Sequence, residues 1–502
     1  MANKKYVIGL DAGTGGVRVI LFDEVGTVVS KAISDYPVLY PKLGWAEQEA
    51  EWWYDALVKA VNEVIETAHI EVQSIASMAI THQRETTVPV DRDGNPLRNA
   101  ILWMDRRAMP QTQWLLTTIG LERLLEITGM NGFGTINKVL WVKENQPAIF
   151  NRTHKWLLVH DYLVYKLTGH YATSWANACL TNVFNNTSFQ WAEDILKDID
   201  VSPDLLPTVY PPGAVVGHLH RNASRITGLP EGLPIAGGGG DQQCGALGCG
   251  IIEPGPASLN LGTSVVLDSF SDTPTHRVAG IPGTYLYESG SSGAIALRWF
   301  KEKLSACENA IAMNSQIDPY DLLTSEAATA PPGSLGLIMF RGPSVRGDGA
   351  FFGLNVMHNR GHIIRAILEG IAFGVRAAVE AMELTSGRKI TQVRLHGGGS
   401  KSRLWCQIFS DLLQRESVQI QTIDATTLGA AVLAAKGGGL YRSVEDAAKN
   451  MVHITERFSP HETNSKIYDK YYRQIYSPYV SQVQELLEKV RKSLYEVEGQ
   501  GA

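Results

Sequence analysis

Three glycine-rich turns in this chain carry the residue types that bind anions. Asp11-Ala-Gly13-Thr14 ends a short apolar run, Gly262-Thr263 ends a second, and Gly397-Gly398-Gly399-Ser400 follows a third. Main-chain N–H groups in such turns can converge on a phosphate, because glycine has no Cβ to hold the anion away. Thr14 and Thr263 each add a hydroxyl donor, and the Gly397–Gly399 turn would let a flat ligand rest against the backbone. A fourth feature, Gly237 to Gly240 followed by Asp241, places a carboxylate at a strand–helix joint. There it can act as a general base or as a plain N-cap. Taken singly, each turn reads equally well as an ordinary hairpin or joint glycine. Their co-occurrence in one chain points to phosphate chemistry. The P-loop pattern Gly-x-x-x-x-Gly-Lys-Ser/Thr is absent, and Gly397 to Ser402 lacks the third small residue of a dinucleotide fingerprint.

Hydrophobic periodicity gives the elements that must position these turns. Tyr6–Asp11 and Val17–Phe22 read as a buried hairpin, 48–68 as a helix, and Ser74–Ile80 as a strand. A strand from Leu233 runs through the glycines into a helix at Asp241. Ala257–Leu261 and Val265–Phe270 form a second hairpin, echoing the first in its Gly-Thr turn. His362–Leu384 has the 3–4 spacing of a long helix, and strand Thr391–Leu395 leads through the last turn to a helix over 403–413. Two α/β halves, each opening on a Gly-Thr hairpin, suggest a duplication with its boundary near 245–257. The tail, 465–498, reads as a mixed-charge exterior helix.

Composition bounds the function. The 502 residues suggest two or three domains, and 44% hydrophobic content supplies sizeable cores. With 45 Lys+Arg against 51 Asp+Glu the net charge is −6, which argues against a duplex nucleic-acid binder. Lys4 and Lys5 precede too short an apolar stretch for a signal peptide, and no run reaches the roughly 18 apolar residues of a membrane span. Cysteines 179, 244, 249, 307 and 406 are scattered and odd in number, and all five read as reduced buried thiols. The expected compartment is the cytoplasm, with no membrane partner.

Two longer stretches resemble the signatures of the FGGY family of carbohydrate kinases, within the actin–hexokinase superfamily. The first is Phe133-Gly-Thr-Ile-Asn-Lys138-Val-Leu-Trp141-Val-Lys-Glu-Asn145, with Val142 where Leu or Phe is usual. The second is Gly349-Ala-Phe-Phe-Gly353-Leu354 with His362-Ile-Ile-Arg-Ala366-Ile-Leu-Glu369. The likeness runs from Gly9 to about Tyr441. It implies an α/β protein of two ribonuclease-H-like domains, 1–250 and 251–502, with a catalytic cleft between them that closes over ATP and sugar. By position, Asp11, Gly13, Thr14 and Arg18 resemble the first phosphate hairpin, and Gly262 and Thr263 the second. Gly397, Gly398, Gly399 and Ser400 resemble the adenosine turn. Asp241 would be the general base, and Mg²⁺ would bridge phosphate oxygens with Asp11 as its partner.

Around the acceptor the segment is most similar to that of glycerol kinases. Arg84 and Glu85 would donate to and accept from substrate hydroxyls, Trp103 would cover the carbon chain, and Gln242 would follow the base. Three departures point to an acceptor larger or differently hydroxylated than glycerol. Phe133 replaces a tyrosine, Val266 replaces a phenylalanine, and Asp105 adds a carboxylate as in the family's ketose kinases. The resemblance implies a small polyol or ketose as substrate, with glycerol, a xylulose-type ketopentose and an autoinducer-type polyol as contenders, and is compatible with a homo-oligomer. A sugar-sensing ATPase of the same superfamily would keep the phosphate hairpins, but has no need of Arg84, Glu85, Trp103 and Gln242 together.

Overall fold

β-Branched and aliphatic residues crowd the first segment of the chain, and they form strands buried on both faces. The computed structural model describes residues 4–262, 264–272, 278–279, 285–291, 295–315, 317–341 and 349–499. They make two units. The first takes residues up to Glu253, 270–287 and Asp424–His453; the second takes Pro254–Ser269, Glu288–Ile423 and the chain from Ile454. A division at 250/251 therefore puts the segment Asp424–His453 in the other half from the one it packs into.

In the first unit, β1 (Tyr6–Ala12), β2 (Gly16–Asp23), β3 (Val28–Asp35), β4 (Ile75–His82), β5 (Val215–His218) and β6 (Pro234–Gly240) form one sheet in the order β5-β6-β4-β1-β2-β3. β1 is antiparallel to β2 and parallel to β4, which is parallel to β6. Helix α1 (Ala50–Ala68) buries Trp53, Leu57, Val61 and Val64 in the core that also holds Ile8, Leu10 and Val19. Helices α2 (Thr135–Asn145), α3 (Val159–Thr168) and α4 (Asp241–Gly248) complete the elements near the turns, α4 starting directly where β6 ends.

The second unit repeats the pattern. β7 (Pro256–Leu261) is antiparallel to β8 (Val265–Ser271) and parallel to β9 (Gln392–His396); β10 (Glu416–Ile420) is parallel to β9, and β11 (Ile454–Phe458) closes antiparallel. A hairpin followed by two parallel strands thus occurs in each half, as the echoing Gly-Thr turns suggested. Its helices include α5 (Pro319–Ala327), α6 (Arg360–Ser386) and α7 (Arg403–Leu413). The second signature stretch lies largely on α6, where Arg365 and Glu369 form a buried ion pair at 2.7 Å and both meet the Tyr468 hydroxyl. The tail is helical as expected, but a π-helical turn, Tyr472–Tyr476, interrupts it and lets Tyr476 stack on Phe340 and Phe373.

Helix α8 (Ala425–Gly437) belongs to the first unit and lies against β1, β4, β6 and α4. The contact is backbone to backbone. A Cβ at Gly9 would overlap the Thr427 carbonyl, one at Gly248 the Ala425 carbonyl, and one at Gly429 the Cys244 carbonyl. No disulfide forms among the described cysteines; four are buried, whereas Cys307, expected inside, is exposed. Among the described residues, no helix is long and apolar enough to cross a membrane.

Candidate active site

Asp11 sits near the end of β1, opposite Arg18 on β2 and Thr81 on β4. Thr426, at the start of α8, donates to its Oδ2 at 3.1 Å, while Oδ1 is shut off from solvent with no partner. Desolvation, reinforced by the charge of Asp241, pushes the carboxyl up to about 6 despite the opposing field of Arg18. Arg18 itself pairs with Asp424 at 3.2 Å. At the hairpin tip the Gly13 N–H is spent on the Gly16 carbonyl, and Tyr36 Oη and Gln48 Nε2 donate to the carbonyls of Gly13 and Thr14. These bonds turn the carbonyls away. The N–H groups of Thr14 and Gly15 meet no acceptor among the described residues.

Asp241 opens α4, and its Oδ1 lies 3.1 Å from Arg84 Nε and accepts the Gln242 N–H at 2.9 Å. Gly240 is what admits the arginine: a Cβ there would lie 2.5 Å from Arg84 Cδ and 2.6 Å from its Cγ. Gln242 is buried with its Oε1 unpartnered. Glu85 has a left-handed backbone, φ 63°, a conformation that costs a non-glycine residue energy and recurs at functional sites. Thr135 Oγ1, at the start of α2, stands 3.5 Å from its carbonyl. Trp103 stays 39% exposed, its Nε1 donating to Thr14 Oγ1 at 3.0 Å. The Phe133 ring lies 5.3 Å from the Arg106 guanidinium and 5.6 Å from Lys138 Nζ.

Asp105 differs from expectation. Its carboxylate accepts from Arg107 Nε at 2.9 Å, Arg107 Nη2 at 2.7 Å, the Arg107 N–H at 2.8 Å and the Ala46 N–H at 2.6 Å. Both oxygens are filled and buried, so this carboxylate braces the loop instead of meeting a substrate hydroxyl. Ser400 is buried, and its hydroxyl donates to the Gly397 carbonyl at 2.7 Å, shaping the turn from within.

In the second unit, Gly262 packs against Gly397 and lines a cavity of about 330 Å³. Its walls include Gly398, Gly399, Lys401, Tyr320 and Trp405. Gly397 takes φ 80°, and a Cβ there would lie 2.6 Å from Asn260 Oδ1. A Cβ at Gly399 would lie 2.6 Å from the Trp405 ring, whereas nothing stands within 4 Å of one at Gly398. The turn is thus packed on one side and open on the other, as a ligand shelf requires. Val266 is buried in β8 of this unit, and Thr263 lies outside the described residues.

Sequence reasoning missed several participants. Thr426, Tyr36 and Gln48 hold the first hairpin from distant segments and carry no local signal. Lys138 was legible only as part of a signature. Its Nζ is buried with no partner, burial lowers its affinity for a proton, and the nearest compensating charges are Glu85 and Asp105. Among the described residues no group of three or more His, Cys, Asp or Glu is disposed to hold a metal.

Residues 6–248 match the N-terminal domain of the FGGY family of carbohydrate kinases, and residues 257–437 match its C-terminal domain. The chain is 30% identical over 488 residues to a xylulose kinase of Bacillus subtilis, covering 92% of this chain and 94% of the relative. It is 31% identical over 492 residues to a glycerol kinase of Caldanaerobacter subterraneus, covering 92% and 96%. Among solved structures, a xylulose kinase from Rhodospirillum rubrum superposes with a TM-score of 0.85 at 27% identity, covering 96% of this chain and 100% of that one.

Proposed function

The chain belongs to the FGGY family of carbohydrate kinases, which phosphorylate sugars or polyols with ATP, and we propose that its acceptor is a four- or five-carbon polyol or ketose deprotonated by Asp241. The Arg84–Asp241 ion pair supports this most directly. It joins a donor for substrate oxygens to a carboxylate at the mouth of a glycine-lined strand, in one unit with Glu85 and the Trp103 face. Phe133 supports the longer acceptor, since it offers a flat wall and no phenolic donor. Relatives named as xylulose and glycerol kinases span acceptors of three to five carbons.

Phosphoryl transfer asks the protein for positioning and charge neutralisation more than covalent help. Arg84 and Glu85 would fix acceptor hydroxyls, and Asp241 would take the proton from the attacking one as the new P–O bond forms. The free N–H groups of Thr14 and Gly15 would hold phosphate oxygens on the first unit, and the Gly397–Gly399 shelf would hold the adenosine on the second. Asp11 suits Mg²⁺: one buried oxygen lacks a partner, and a second carboxylate raises the local negative charge. When bound, the ion would neutralise phosphate charge.

The test is a panel of glycerol, erythritol, xylitol, xylulose and ribulose with ATP, scored by kcat/KM. A four- or five-carbon acceptor should win; a clear win for glycerol makes Phe133 a packing change. Asp241→Asn should lower kcat by about 10²–10⁴-fold with nucleotide binding retained, the usual worth of a positioned base. A near-normal kcat would return Asp241 to an N-cap.

A further inference from the structure

The strand that delivers Asp241 is irregular just before its end. Ala236 pairs with Ala79 and Gly239 with Thr81, so Gly237 and Gly238 together oppose the single residue Ile80. Such a bulge removes its residues from the ladder and leaves their polar groups to be satisfied elsewhere. Gly237 is tied to the neighbouring turn, donating to the Ala214 carbonyl at 2.8 Å and accepting the Gly213 N–H at 2.7 Å. Gly238 is tied to two side chains. Its N–H donates to His160 Nε2 at 3.1 Å, and its carbonyl accepts from Ser174 Oγ at 2.5 Å. No side chain fits at Gly238 itself, because a Cβ would overlap the Ile80 carbonyl.

His160 is held in the form this contact needs. It lies fully buried in the first turn of α3. Its Nδ1 is 3.0 Å from Asp161 Oδ1, and Asp161 Oδ2 accepts the Leu158 N–H at 3.0 Å. With Nδ1–H donating to the carboxylate, Nε2 presents a lone pair to the Gly238 N–H. The chain of contacts runs from the α3 N-terminus through Asp161 and His160 to the bulge, three residues from Asp241.

We propose that His160 is a positioning residue for phosphoryl transfer, fixing through Gly238 the strand end from which Asp241 reaches the acceptor hydroxyl. The inference rests on Asp241 as the base. It concerns geometry alone: His160 exchanges no proton with substrate and touches neither ligand. A buried N–H deprived of its acceptor relaxes toward another one, and the bulge has only glycines to resist the movement.

The test uses the full-length protein with His160→Leu, His160→Gln, Ser174→Ala and Asp241→Asn assayed side by side. His160→Leu should lower kcat by about 10²-fold, the cost of roughly 1 Å of misplacement at a reacting group. Acceptor and ATP dissociation constants, measured by calorimetry, should stay within about two-fold, because only transition-state geometry is lost. His160→Gln can offer Oε1 to Gly238 and should recover most of kcat. Ser174→Ala removes the other tie, should lower kcat by about 10-fold, and keeps the test decisive if His160→Leu does not fold. A normal kcat in Ser174→Ala or His160→Leu overturns the proposal, as does a His160→Gln as impaired as His160→Leu. If Asp241→Asn alone is harmless, the base assignment fails instead.

Discussion

Trp103 Nε1 donates to Thr14 Oγ1 at 3.0 Å, so the aromatic face proposed to cover the acceptor is fastened to the hairpin proposed to hold phosphate. Thr14 acts there as the acceptor and keeps its own O–H to donate. Trp103→Phe preserves a ring but removes this bond. KM for ATP and KM for the acceptor should both rise, each by about 2–12-fold, the worth of a hydrogen bond of about 0.5–1.5 kcal/mol. Steady-state kinetics with each substrate varied in turn provide the check; a change confined to the acceptor would mean the two sites are not coupled through this bond.

Gly240 and Gly238 should respond differently to a single methyl group. At Gly240 the clash is with the flexible Arg84 side chain, at 2.5 Å from Cδ. Gly240→Ala should fold, displace Arg84 and raise the acceptor KM by at least about 10-fold, in line with losing a charged hydrogen bond of about 1.5–3 kcal/mol. The ATP KM should hold. At Gly238 the obstacle is the Ile80 backbone, which cannot move aside, so Gly238→Ala should lose most of its soluble yield. Circular dichroism and kinetics on the two variants separate these outcomes.

Lys138 is an ammonium buried without a hydrogen-bond partner, a group whose desolvation costs stability. Lys138→Met keeps the length of the side chain and removes the charge. The variant should be more stable by about 1–4 kcal/mol, read as a higher denaturant midpoint, while its acceptor KM rises because the field acting on Glu85 is gone. A variant both less stable and normal in KM would show that Lys138 only fills space.

His82 and His396 are both buried, and burial holds each imidazole at about 4, with neighbouring His160 adding to the effect at His82. The unfolded chain takes up these protons below roughly pH 6.5, whereas the folded protein refuses them until about pH 4. Their contribution is therefore complete above pH 6.5 and is lost progressively down to pH 4, at up to about 1.4 kcal/mol per pH unit for each ring. Thermal midpoints of wild type and His396→Asn across pH 5–8 isolate one ring from the buried acids Asp11 and Glu369, whose raised values carry the opposite sign. The two curves should converge toward pH 5; parallel curves would remove His396 from the account.

The hairpins, the glycine-to-Asp241 joint and the long helix α6 were legible because short apolar runs and glycine punctuation are local properties. The partners of Asp11 were not, because Thr426 reaches it from 415 residues away in sequence. Asp105 read as a carboxylate added for the acceptor, whereas its oxygens are taken by Arg107 and the Ala46 N–H, a pairing that hydrophobic periodicity does not register. That the Ser400 hydroxyl points back at Gly397 was not legible either, because only the curl of the turn sets its direction. His160 carried no signal at all. Its role depends on a bulge, and a register shift leaves no mark in hydrophobic periodicity.

The return of α8 to the first unit has a consequence for how the protein is made. Residues up to Glu253 leave the ribosome first, yet Asp424–His453, whose helix α8 packs against their sheet, follows about 170 residues later. At roughly 5–20 residues per second, translation leaves that gap open for about 10–30 s. Throughout it, Gly9 of β1 and Gly248 of α4 lack the backbone of Thr427 and Ala425 that packs on them. The nascent chain must keep this face from other partners until α8 arrives, and a truncation at residue 253 should stay insoluble unless a peptide spanning 424–453 is supplied.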